Sequence, residues 1–209
     1  MKLIKISALA IISLGFFACG NSSDANSTSS TTNTTESSSN ETTETTGSAE
    51  FRTVSTNSFF DIDIPNHMEA ASGLNGDASI QYQYVEQVGS TVKEHYVIVL
   101  METMEEIESY DLDEEFDALS YGEISSASLG DGLDSYEILT KNPEVVQVNG
   151  LDCVKYEMEG SMGDVNVFYK LGVFEGEKSF YQVLTWTLTE QKAEFKSDMD
   201  KIINSFKEK

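Results

Sequence analysis

The chain has 209 residues, with 36 acidic against 13 basic side chains and a formal net charge of −23 at pH 7. That length allows one domain with appendages, and that charge disfavours nucleic-acid phosphates and anionic membrane surfaces as direct ligands. Two cysteines, Cys19 and Cys153, and two histidines, His67 and His95, are too few and too scattered for a disulfide framework or a zinc site.

The N-terminus reads Met1-Lys2-Leu3-Ile4-Lys5, then an apolar run from Ile6 to Phe17, then Ala18-Cys19-Gly20. Lysines before a short apolar stretch with a small residue at the cut form a secretory signal. The run falls short of the about 20 residues that a bilayer span needs. Ala18 before Cys19 resembles the bacterial lipobox, which implies a signal peptide over residues 1–18 and lipidation of Cys19. Each buried methylene of an acyl chain contributes about 0.8 kcal/mol, and one chain alone holds only marginally, so a triacylated cysteine is a durable anchor.

Residues 19–50 then carry almost only Ser, Thr, Asn and Glu. Such a segment cannot bury enough apolar surface to offset its ordering entropy and is expected to be a disordered tether. As a flexible coil of about 30 residues it would reach roughly 30 Å. The folded domain is expected over residues 51–209.

Phe60, Ile62 and Ile64 alternate with Phe59, Asp61 and Asp63, a strand with one buried face, ended by Pro65. Ile80, Tyr82 and Tyr84 form a second, and Gly89-Ser90 a turn. Tyr96 to Met101 is almost continuously apolar, as in a strand covered on both faces. Asp111 with Glu114 has capping-box spacing and predicts a helix whose inner face holds Leu112, Phe116 and Leu119. Strands follow around 136–139 and 145–148, with Asn149-Gly150 as a hairpin turn, and then over 152–159, 165–174 and 180–188. A closing helix over about 190–206 presents Phe195, Met199, Ile202, Ile203 and Phe206 on one face, with Thr187 and Glu190 at capping-box spacing before it. This order predicts an α+β fold, an antiparallel sheet flanked by helices.

The domain resembles the PsbP-like family. The resemblance rests on Phe59-Phe60-Asp61-Ile62-Asp63-Ile64-Pro65, on Val148-Asn149-Gly150-Leu151, on Phe180-Tyr181-Gln182-Val183-Leu184-Thr185-Trp186-Thr187, and on the helix ending Ile202-Ile203-Asn204-Ser205-Phe206. That family includes a photosystem extrinsic subunit, a Ran-binding nucleotide-release factor and bacterial lipoproteins of the DcrB type. It implies an α/β/α sandwich and a non-catalytic accessory or assembly role, with no site residue to carry over. The family's first strand usually leads to a Trp soon after the Pro, where this chain has Asn66-His67-Met68.

No Gly-x-Ser-x-Gly elbow, P-loop or dinucleotide fingerprint occurs, so neither catalysis nor a cofactor is expected. Cys153 and Trp186 lie in apolar strands and read as core residues. Acids run densely from Glu102 to Asp117 without an intervening Lys or Arg. Glu105, Glu106, Asp111, Asp113, Glu114 and Glu115 are the candidate face for a basic partner or a cation; the simplest role is a solvated surface. Asp111-Leu112-Asp113 and Asp131-Gly132-Leu133-Asp134 offer oxygens without EF-hand spacing. The sequence therefore reads as an exported lipoprotein, anchored to a bacterial envelope membrane, with the outer membrane expected. Its domain would bind another envelope component; the alternatives are a carrier or sensor for a small apolar ligand, or a cation-binding domain.

Overall fold

The computed structural model describes residues 49–56, 58–109 and 116–209. Cys19, the tether and Asp111, Asp113, Glu114 and Glu115 lie outside the described residues. Strands β1 (Phe51–Ser55) and β2 (Phe60–Pro65) form an antiparallel pair, with Phe51 opposite Pro65. Then come β3 (Glu69–Ala70), β4 (Ile80–Val88) and β5 (Thr91–Thr103). Helices α1 (Met104–Glu108) and α2 (Ala118–Ser128) separate these from β6 (Ser135–Ile138), β7 (Val146–Val148), β8 (Leu151–Met162), β9 (Val165–Glu175) and β10 (Ser179–Leu188). A 3₁₀ turn (Thr189–Gln191), α3 (Lys192–Ser205) and β11 (Lys207–Glu208) close the chain.

The main sheet has eight strands in the order β3-β4-β5-β10-β9-β8-β6, with β7 also paired to β8. Every pairing is antiparallel. The second sheet has three strands in the order β1-β2-β11. The α+β sandwich read from the sequence is thus the observed architecture. Asn149 (φ 52°) and Gly150 (φ 89°) both adopt the left-handed region that a tight β7–β8 hairpin requires.

On one face of the main sheet, α3 and the small sheet cover Val97, Val99, Tyr181, Val183, Phe174 and Cys153. The expected inner stripe of α3 is buried: Phe195, Met199, Ile202, Ile203 and Phe206 are all at most 4% exposed. Phe206 sits among aromatic rings, with centroids 5.2 Å from Phe60, 4.5 Å from Phe174 and 5.0 Å from Tyr181. Lys170, buried under the helix, pairs with Glu157 at 3.2 Å and with Asp200. On the opposite face, α2 packs on β8 and β9. Tyr121 stacks on Phe180 with centroids 4.5 Å apart, and Gly122 lies against Tyr156. Trp186 is 2% exposed and stacks on Tyr96, so it is a core residue.

Three local expectations are refined. The helix start expected at Asp111 lies outside the described residues; within them α2 opens at Ala118, where the Asp117 carboxylate accepts from the Ser120 amide at 2.7 Å, and the Ser120 hydroxyl accepts from the Asp117 amide at 3.0 Å. Its buried face is Ala118, Tyr121, Gly122, Ser125 and Ser126, while Phe116 and Leu119 are half-buried. Thr187 caps no helix: it stays in β10 and donates its hydroxyl to the Glu94 carbonyl at 2.5 Å. Gln191 does the anchoring there, accepting from the Glu94 amide at 2.9 Å and donating to the Val92 carbonyl at 2.6 Å. Thirdly, the acidic run is not solvated throughout. Glu102 is 6% exposed because β5 continues its alternation past Met101 and turns Glu102 to the face of Ile98 and Leu100.

Candidate functional site

The two described members of the acidic face, Glu105 and Glu106, line different cavities beside α1. Glu106 is the third residue of that helix and is committed to a capping box. Its carboxylate accepts from the Thr103 amide at 3.0 Å, and its own amide donates to the Thr103 hydroxyl at 3.2 Å. It also rims a small cavity of about 180 Å³ over Glu102, Tyr121 and Gln182. There the Tyr121 hydroxyl donates to Glu102 at 2.6 Å and accepts from Gln182 at 3.0 Å. Glu105 is exposed and lines a cleft of about 570 Å³.

That cleft is assembled from four distant stretches of chain: the β1–β2 turn with Phe59, the start of α1 with Met104 and Glu105, the β9–β10 turn and the start of β10 with Lys178 and Tyr181, and β11 with Glu208. Phe59 is 48% exposed at its mouth, where an apolar ring gains nothing from water. The far wall is hydrogen-bonded. The Glu208 carboxylate accepts from the Tyr181 hydroxyl and from the Glu177 amide, both at 2.9 Å. Gly176 makes this possible, since a Cβ there would stand 2.3 Å from the Glu208 carboxylate and 2.8 Å from the Tyr181 ring. Burial and the adjacent Glu208 push the Tyr181 hydroxyl up to about 12, so it stays a donor at any ordinary pH. The chain end is fixed by the Lys209 ammonium, 2.9 Å from the Asp61 carboxylate. Bonds from the Ser55 hydroxyl and then from Lys209 hold Asp61 below the usual carboxylate range. The Met104 amide donates to the Lys178 carbonyl at 2.9 Å and ties α1 to the β9–β10 turn.

A larger groove of about 760 Å³ lies at the other end of the sheet, between Tyr136 of β6, Asp164 and Glu190. Its Glu159 and Glu137 face lysine partners, Lys192 at 3.1 Å and Lys141 at 3.0 Å. Among the described residues no three His, Cys, Asp or Glu side chains converge as metal ligands. No helix among them is long and apolar enough to cross a membrane. Cys153 is fully buried, and burial pushes its thiol up to about 12, which removes nucleophilic thiolate. The sequence already turned Phe59 outward. It gave no signal for the cleft, because the parts meet only after the small sheet docks.

No protein-family model matches the chain, and no curated protein does. Solved structures match it in fold. The crystal structure of LpqN, involved in cell envelope biogenesis of Mycobacterium tuberculosis, superposes with a TM-score of 0.53 at 10% identity over 76% of this chain and 90% of that one. The solution structure of cyanobacterial PsbP from Synechocystis gives a TM-score of 0.52 at 15% identity over 78% of this chain and 95% of that one. The fold is PsbP-like.

Proposed function

We propose that this chain is an envelope lipoprotein, anchored through Cys19, whose PsbP-like domain is a non-catalytic binding module. Its contact with another envelope component would run through the cleft between Phe59, Met104 and Glu105. The observation that carries the reading is Phe59, 48% exposed at the mouth of a cleft whose walls are otherwise hydrogen-bonded. An aromatic anchor beside charged rim residues is the composition of an interface centre. The position of LpqN in envelope biogenesis supports the setting, and the signal sequence with Ala18-Cys19 supports export and anchoring. The strongly negative charge is consistent with a partner that is neither nucleic acid nor anionic lipid.

Affinity capture from native envelopes tests the reading, with the wild-type chain against Phe59→Ala and Val146→Ala. Val146 is a comparably exposed apolar residue, 41% accessible, that does not line the cleft. Removing an interface anchor costs about 2 kcal/mol or more, roughly a thirtyfold loss of affinity. Phe59→Ala is expected to lose a partner that Val146→Ala retains. Equal recovery with both variants refutes the cleft as the binding surface.

A further inference from the structure

His95 lies directly against α3, and His67, exposed at the surface, reaches the same stretch of α3 through Tyr84. The His67 ring packs on Tyr84 with centroids 4.6 Å apart, Tyr84 on Phe195 at 6.0 Å, and Phe195 on His95 at 5.0 Å. His95 is 0% exposed. Its Nε2 meets the Thr185 hydroxyl at 2.7 Å, while its Nδ1 is buried with no hydrogen-bond partner. A proton added at Nδ1 therefore creates a buried charge and a buried donor with nothing to receive it. The clasp formed by Gln191 and Thr187, which starts α3, binds the backbone of Glu94, the residue next to His95.

We propose that His95 forms an acid-sensitive wedge beneath α3, with His67 beside it at the surface, so that acidification releases this helix from β4 and β5 while the rest of the main sheet stays folded. The charged and titratable groups around the wedge come from every element packed on it. They are Tyr84 and Glu86 of β4, Lys93 of β5, Arg52 of β1, and Glu194, Asp198 and Lys201 of α3; the Glu94 side chain points to the other face of β5, where it accepts from the Tyr96 hydroxyl. Glu194 already faces Lys93 at 2.7 Å. Burial raises the Asp198 carboxyl above its ordinary range. By linkage that group favours the docked helix as pH falls, so it opposes the histidine and does not add to it. The sign is fixed by linkage. Burial, with His67 nearby, lowers His95 in the folded state from the ordinary 6.5 to about 3. Docking of α3 is then fully supported above pH 6.5 and weakens as pH falls from there toward 3. His67, lowered mainly by desolvation, adds in the same direction.

Hydrogen exchange of the full chain, corrected for intrinsic rates, tests the wedge between pH 7.5 and 5. Protection of α3 amides from Phe195 to Ile203 is expected to fall about thirtyfold, with β8 and β9 amides still protected. His95→Gln is expected to flatten that fall. A uniform loss over the sheet, or an equally steep fall in His95→Gln, overturns the proposal. The His95 imidazole resonance of the wild type gives a reading that needs no variant. It is expected to take up its proton only as α3 opens. Protonation near pH 6.5 with α3 still protected also overturns the proposal.

Discussion

Gly176 shows how one residue fixes the cleft. The heavy atoms nearest to where its Cβ would be belong to Glu208 and Tyr181, which are hydrogen-bonded to each other there. Gly176→Ala must push the Glu208 carboxylate away and break its bonds to Tyr181 and the Glu177 amide. Overpacking of this kind costs about 1–3 kcal/mol. The expected result is a lower urea midpoint with an unchanged slope. The same substitution in a Glu208→Ala background is expected to cost less, because the displaced group is gone. Equal cost in both backgrounds would mean that the Tyr181 ring alone sets the constraint.

The closing helix ties the two sheets together. Phe206 lies just beyond α3, wholly buried, with rings from the small sheet and the main sheet on its sides. Asn149 of the β7–β8 hairpin donates to the Phe206 carbonyl at 2.8 Å and holds the turn into β11. Phe206→Ala is expected to cost about 3–5 kcal/mol in denaturant unfolding. A loss below 1 kcal/mol would mean that the end of α3 contributes little to the core. Elements with strong periodicity were legible in the sequence: β2, β4, β5, β8, β9, β10 and the stripe of α3, and so were the short β6 and β7. The shortest were not. Two-residue strands such as β3 and β11 carry no alternation, and the single turn of α1 is held by a Thr103–Glu106 capping box inside an acidic run that reads as solvated. Thr187 had cap spacing but was retained by its own strand. Glu102 was misread because charge was weighted over the period-two pattern that places it inside.

At the scale of the whole molecule, the described domain buries apolar residues on both faces of its main sheet and carries clefts at the ends of that sheet. Among the described residues, the Cys153 thiol is buried, Trp186 is in the core, and His95 packs against α3. The cleft beside β11 differs in presenting an apolar ring to solvent. The proposed role needs two things together, an anchor at Cys19 and an open contact at Phe59. The most direct measurement is photo-crosslinking in intact cells, with the crosslinking amino acid placed at Phe59 or at Val146. The account predicts a discrete adduct with an envelope protein from position 59, none from position 146, and loss of the adduct when Cys19→Ala removes the anchor. Adducts of equal yield from both positions, or an adduct at position 59 that survives Cys19→Ala undiminished, would contradict it.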